Sequence, residues 1–70
     1  MSGEAPRRLR PVDLAERHSI TERTAGEWLR AMVAAGVVKK LGRIIVGRLS
    51  ATDFWVENGG AVKATKGGKP

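Results

Sequence analysis

The chain has 70 residues, no cysteine, and thirteen Lys and Arg against seven Asp and Glu, for a formal charge of +6. That length allows one small domain whose core is too slight to enclose a deep catalytic cleft, and the absence of cysteine excludes disulfides and thiolate metal sites. The basic balance points to a polyanionic partner, because each phosphate neutralised releases condensed counterions. A membrane is not expected as partner: the apolar runs at residues 31–38 and 44–46 are too short to span a bilayer.

Residues 1–10, MSGEAPRRLR, mix Gly, Pro, Glu and Arg without periodicity and read as a flexible basic arm. They lack the apolar centre of a secretion signal, so a cytoplasmic location is the default expectation. Pro11 suits a first helical turn, and a helix is predicted from Pro11 or Val12 to Arg17 or His18. Asp13 and Glu16 lie near its positive end, and Leu14 and Ala15 give it a small apolar face. Ser19-Ile20-Thr21 interrupts the pattern. Thr21 is an N-cap candidate, with Ile20 before it placed to staple onto the first turns.

A second helix is predicted over about residues 22–35. Its apolar positions Ala25, Trp28, Leu29, Met32 and Ala35 follow a 3.6-residue period, and Ile20 and Thr24 extend the stripe backward. The opposite face carries Glu22, Arg23, Gly26, Glu27 and Arg30, and Gly36 is a natural helix stop. Residues 37–49 are rich in β-branched side chains, with Gly42-Arg43 between two runs in the pattern of a type II′ hairpin. Gly47 in the second strand signals a bulge or a close backbone approach. Ser50-Ala51-Thr52-Asp53 resembles a capping box opening a short helix over residues 51–57, whose Phe54 and Trp55 are expected to lid the core. Asn58-Gly59-Gly60 should end it, leaving residues 59–70 as a flexible basic tail. The expected fold is therefore α+β, with residues 11–58 as the domain: two helices about a tight turn, a two-stranded β-hairpin, and a short C-terminal helix.

Charge is unevenly placed along this plan. Residues 12–35 hold three basic side chains (Arg17, Arg23, Arg30) and four acidic ones (Asp13, Glu16, Glu22, Glu27), a net of −1. Residues 36–49 hold four basic ones (Lys39, Lys40, Arg43, Arg48) and no acid, a net of +4. Arg7, Arg8 and Arg10 lie in front, and Lys63, Lys66 and Lys69 behind. Affinity for a polyanion is thus expected from the hairpin and the ends, and selectivity from the second helix.

In order along the chain stand Leu14-Ala15, Thr21-Glu22-Arg23-Thr24, Trp28-Leu29, Leu41-Gly42-Arg43 and Arg48-Leu49-Ser50. This succession, over about residues 9–56, resembles the small MerR-like winged helix–turn–helix proteins of the excisionase type. Residues 22–43 are also similar to the winged helices of GntR-like and MarR-like regulators, and a similar module opens the small subunits of some phage terminases. The resemblance implies double-stranded DNA as partner. The second helix would then enter the major groove with Thr21, Glu22, Arg23, Thr24, Gly26, Glu27 and Arg30, and the hairpin would act as the wing with Lys39, Lys40, Arg43 and Arg48. In such a pose Arg reads guanine and Glu accepts from cytosine N4, while Arg43 at the tip suits a minor groove and the lysines suit phosphate. The plainer alternative is a solvated helix face, with Glu27 paired to Arg23 or Arg30, and an edge strand guarded by lysines. Three departures from the family pattern stand out: His18-Ser19 replaces the common turn glycine, Glu22 and Glu27 occupy positions usually more cationic, and Gly26 sits in mid-helix.

No enzyme, metal or cofactor is expected. His18 has no suitably spaced second ligand and reads as solvent-facing or capping, and no carboxylate pair is accompanied by a nucleophile or base. Trp28, Phe54 and Trp55 are expected in the core rather than as base-stacking platforms. The expectation is a free-standing, sequence-specific DNA-binding module, nucleoid-associated in a bacterial or phage-infected cell. Its role would be that of an excisionase-like recombination directionality factor or a compact phage or plasmid transcription regulator. Copies of itself on adjacent sites and a recombinase or other phage protein are the further partners this implies. The alternatives are the DNA-recognition part of a terminase small subunit, a winged helix turned to protein contact, and a ribosome- or RNA-associated basic protein.

Overall fold

Local signals in the sequence place the first two helices. In the computed structural model, which describes residues 5–65, helix α1 spans Pro11–His18 and helix α2 spans Glu22–Ala35. The Thr21 hydroxyl oxygen accepts the backbone N–H of Thr24 at 3.1 Å, a capping bond of about 1 kcal/mol that sets where α2 begins. At the start of α1 the Asp13 carboxylate accepts the backbone N–H of Arg10 at 3.0 Å. Between the helices Ser19 takes the left-handed conformation (φ 56°, ψ 48°). A side chain there costs about 1 kcal/mol or more, so serine does the work of the missing turn glycine at some expense to stability.

Strands β2 (Lys39–Leu41) and β3 (Ile44–Gly47) form the expected hairpin, with Leu41 paired to Ile44 across Gly42-Arg43. Gly42 has φ 63° and Arg43 has no positive φ, which is the type II′ pattern. Gly47 is a close approach: a Cβ there would lie 2.6 Å from Val38 Cγ1 and 3.3 Å from Leu9 Cδ1.

The ends depart from the sequence expectation. Arg7–Leu9, expected within a loose arm, forms a strand, β1, antiparallel to β3, so the sheet has three strands in the order β1-β3-β2. Its signal is one alternation long, Arg8-Leu9-Arg10, and its partner lies 36 residues away, so only tertiary pairing reveals it. Helix α3 runs Leu49–Glu57, starting before the predicted residue 51. Arg48 is its N-cap, and the Ser50–Asp53 capping box is therefore not the start signal; the Thr52 hydroxyl instead donates to the Leu49 carbonyl at 2.7 Å. Gly60–Thr65, expected within a tail, forms a fourth helix, α4, which packs on α2 and α3. Residues 1–4 of the expected arm and 66–70 of the expected tail lie outside the described residues. The chain is thus α+β, with four helices and a three-stranded antiparallel sheet among the described residues.

The core comprises Leu9, Leu14, Ala25, Trp28, Leu29, Met32 and Val38. Ala35, expected on the buried stripe, is exposed because α2 outruns the core at that end. Phe54 does not lid the core: it is 68% exposed, and Trp55 packs inward instead, edge-on to Trp28 with ring centroids 6.0 Å apart. His18 is not solvent-facing. Its side chain is 13% exposed, stands edge-on to Trp28 at 5.6 Å, and holds Nε2 3.5 Å from Asp53 Oδ1.

Asp53 clasps α3 to α1. Its carboxylate accepts from both Arg17 Nε, at 2.8 Å, and Arg17 Nη2. The Arg17 hydrogen bond holds the Asp53 carboxyl below the ordinary 3.8, against the upward pull of desolvation. A depressed native value means the interaction stabilises the fold fully above the unfolded value and loses that contribution as pH falls through the native one. Both partners are at least a third exposed, so the contribution is about 1 kcal/mol at most. Asp53→Asn should therefore lower the melting temperature by no more than about 4–8 °C at pH 7, and the gap to the parent chain should close as the pH is taken below 3.8. A gap that persists unchanged at low pH would show that the asparagine perturbs packing rather than charge.

Candidate nucleic-acid interface

Pairing of β1 with β3 sets the N-terminal cations beside the hairpin. Across the sheet, Arg8, Val46 and Lys39 form one row, and Leu9, Ile45 and Lys40 the next. Cross-strand neighbours share a face, so the row of buried Leu9 is the one turned toward α2. Between α2 and the sheet, where the hairpin extends beyond the core, lies a groove of about 440 Å³ to which residues of both rows contribute. Its apolar lining includes Leu9 and Pro11, Leu29 and Val33 of α2, and Ile44 and Ile45 of β3, and Gly26 also borders it. Five cations surround it: Arg8 and Arg10 from the β1–α1 segment, Arg30 from α2, Lys40 from β2, and Arg43 from the hairpin tip. Among the described residues, no acidic side chain lines it.

Two of the acids are occupied elsewhere. Asp53 holds Arg17, and Asp13 caps α1 while its Oδ2 lies 3.6 Å from Arg10 Nε. The Arg10 backbone N–H is the main reason the Asp13 carboxyl is held below its usual value, with desolvation opposing it. Of the five groove cations, only Arg10 has an ion-pair partner among the described residues, and its side chain is more than half exposed. Arg8, Arg30, Lys40 and Arg43 present uncompensated charge over a low-dielectric floor, an arrangement that suits a phosphodiester strand better than a single small anion.

The structure divides the residues singled out from sequence. Gly26, Arg30, Lys40 and Arg43 meet at the groove. Lys39 and Arg48 lie with Val46 and Gly47 around a second hollow, of which Lys40 also forms part. Thr21, Glu22, Arg23 and Glu27 are on α2 or at its cap outside the groove, and Thr24 is half-buried beside the Thr21 hydroxyl, which donates to its Oγ1 at 3.0 Å. Glu22, Arg23, Glu27 and Arg30 are exposed, and Glu27 forms no ion pair with Arg23 or Arg30 among the described residues. Arg8 and Arg10 are absent from the sequence-derived site because strand β1, which holds Arg8 and leads into Arg10, is not legible there.

No described group of three or more His, Cys, Asp or Glu side chains could hold a metal ion, and no described helix is long and apolar enough to cross a membrane. No known protein family, characterised protein or solved structure matches the chain.

Gly26 is open on its outer side: a Cβ there would meet nothing within 4 Å. Alanine at that position should then act only through helix propensity and chain entropy. Gly26→Ala is expected to stabilise the fold by about 0.5–1 kcal/mol, read as a higher urea midpoint at unchanged slope. A lower midpoint would show that the backbone at Gly26 is held in a way the open space does not reveal.

Proposed function

We propose that the chain binds double-stranded DNA as a small winged helix–turn–helix. In this reading α1 and α2 are the helix–turn–helix, the β2–β3 hairpin is the wing, and the accessory role is of the excisionase or compact-regulator kind. The observation that carries it is the groove between α2 and the hairpin, ringed by five cations and, among the described residues, no acid.

In the proposed pose the outer positions of α2 and its cap, Thr21, Glu22, Arg23 and Glu27, face base edges in the major groove. Of these, Arg23 is the one suited to guanine and Glu27 to cytosine N4. Gly26 permits the helix backbone to ride close to the duplex. Arg30 turns toward the phosphate side with Lys40, and Arg43 at the hairpin tip reaches the adjacent backbone or minor groove. Lys39 and Arg48, away from the groove, add attraction that is independent of sequence.

Titration of a labelled duplex of about 20 base pairs tests this directly. With about five phosphates neutralised, the logarithm of affinity should fall against the logarithm of salt concentration with a slope near −4.5, a loss of several hundred-fold between 50 and 200 mM. Arg23→Ala should cost about 1–3 kcal/mol at the preferred sequence and relax that preference, whereas Lys40→Ala should weaken all sequences alike. Gly26→Ala should weaken duplex binding even as it stabilises the fold. Absence of duplex binding at low salt would sink the reading.

A further inference from the structure

Arg7 and Arg8 are neighbours of equal charge on β1, yet they border different hollows. Arg7 borders a hollow with Asp13, Glu16 and Arg17, and its charge helps to depress the Asp13 carboxyl. Arg8 lines the cationic groove, as does Arg10 two residues further along. Arg8 has no acidic partner within ion-pair distance among the described residues, and Arg10 has only the loose 3.6 Å approach to Asp13. The α2 and hairpin cations therefore make only part of the groove's rim, and the rest comes from the segment that precedes α1.

We propose that Arg8 and Arg10 bind phosphate, and that the groove seats the sugar-phosphate backbone of one DNA strand, gripped from the β1 side by these two arginines and from the other by Arg30, Lys40 and Arg43. The proposal rests on the DNA-binding reading above and adds a site on a different element to it. The occupant follows from the lining. A strand of phosphodiesters offers charges at regular intervals to cations spaced along an open groove, and the sugar faces suit the apolar floor of Leu29, Val33, Ile44 and Ile45. Arg10 serves twice: its backbone N–H anchors the Asp13 cap of α1, and its side chain exchanges a weak carboxylate interaction for phosphate. Positioning of the strand is thereby coupled to the first turn of the helix–turn–helix.

The test compares Arg7→Gln, Arg8→Gln and Arg10→Gln in the full chain, each lowering the net charge by one. Binding to the same labelled duplex is followed by fluorescence anisotropy between 50 and 200 mM salt. Removing one arginine–phosphate pair should reduce the magnitude of the salt slope by about 0.9 and weaken binding about eightfold near 0.1 M. The expected result is that change for Arg8→Gln and for Arg10→Gln, and an unchanged slope for Arg7→Gln. Arg8→Lys, which keeps the charge, should restore the slope. An unchanged melting temperature across the variants distinguishes weaker phosphate binding from a damaged fold. Equal effects at Arg7 and Arg8 would overturn the proposal while leaving duplex binding intact, because total charge rather than position would then govern. A full slope in Arg8→Gln and Arg10→Gln would overturn it as well. Tighter binding to a single strand of the same length would overturn the duplex as occupant, and failure of the parent chain to bind duplex at all would instead remove the reading on which the proposal rests.

Discussion

Strand β3 is hydrogen-bonded along both of its edges, and the architecture depends on that. A two-stranded hairpin on its own is marginal in water. Here β1 completes a third strand, and its Leu9 is buried in the core beside Val38. Gly47 makes the junction possible, since any larger residue at the end of β3 would collide with Val38 and crowd Leu9. The hairpin is thus held at its base by the same packing that closes the core, while its tip with Gly42 and Arg43 extends free. A stiff base and a projecting tip produce the groove against α2.

The second constraint is electrostatic. Of the carboxylates with a described partner, Asp53 links α3 to α1 through Arg17, and Asp13 caps α1 beside Arg10. Both lie on or against α1 and outside the groove lining. Acids used in this way stabilise a small fold and leave the cations of β1, α2 and the hairpin uncompensated. Exposed salt bridges add little stability; their larger consequence here is where they leave the remaining charge. An even scatter of the same residues would produce the same +6 but no cationic groove.

What is legible in the sequence follows the range of the interactions. The Thr21 cap, the Gly36 stop, the Gly42-Arg43 turn and the boundaries of α1 and α2 are settled within a few residues of one another, and there expectation and structure agree. β1 is not legible, because a three-residue strand has no periodicity to detect and its partner is distant in the chain. α4 escapes for a related reason. Gly59-Gly60 reads as a break, yet Gly60 is where the Trp55 ring lies so close that a Cβ would fall 2.4 Å from its Cε2, and that proximity exists only after folding. Phe54 and Trp55 are interchangeable as core candidates by composition, and the start of α3 at Leu49 decides between them. Of the candidate site, the α2 and hairpin cations are legible, as is the basic character of the N-terminal end, whereas the placement of Arg8 and Arg10 at the groove is hidden with β1.

The groove also changes how α2 works in the proposed mode. Its outer face is nearly neutral, with Glu22 and Glu27 offsetting Arg23, and such a helix gains little from nonspecific attraction to phosphate. Acidic side chains near a duplex are repelled unless they find a donor, so Glu27 penalises every register except one that offers an amino group such as cytosine N4. The cationic groove beside it holds the backbone regardless of sequence. Affinity and discrimination then reside on different surfaces meeting at Gly26, which borders both the groove and the reading face. Specificity in this arrangement comes partly from repulsion, which works only because the adjacent groove supplies enough attraction to keep the helix on the duplex while it is being tested.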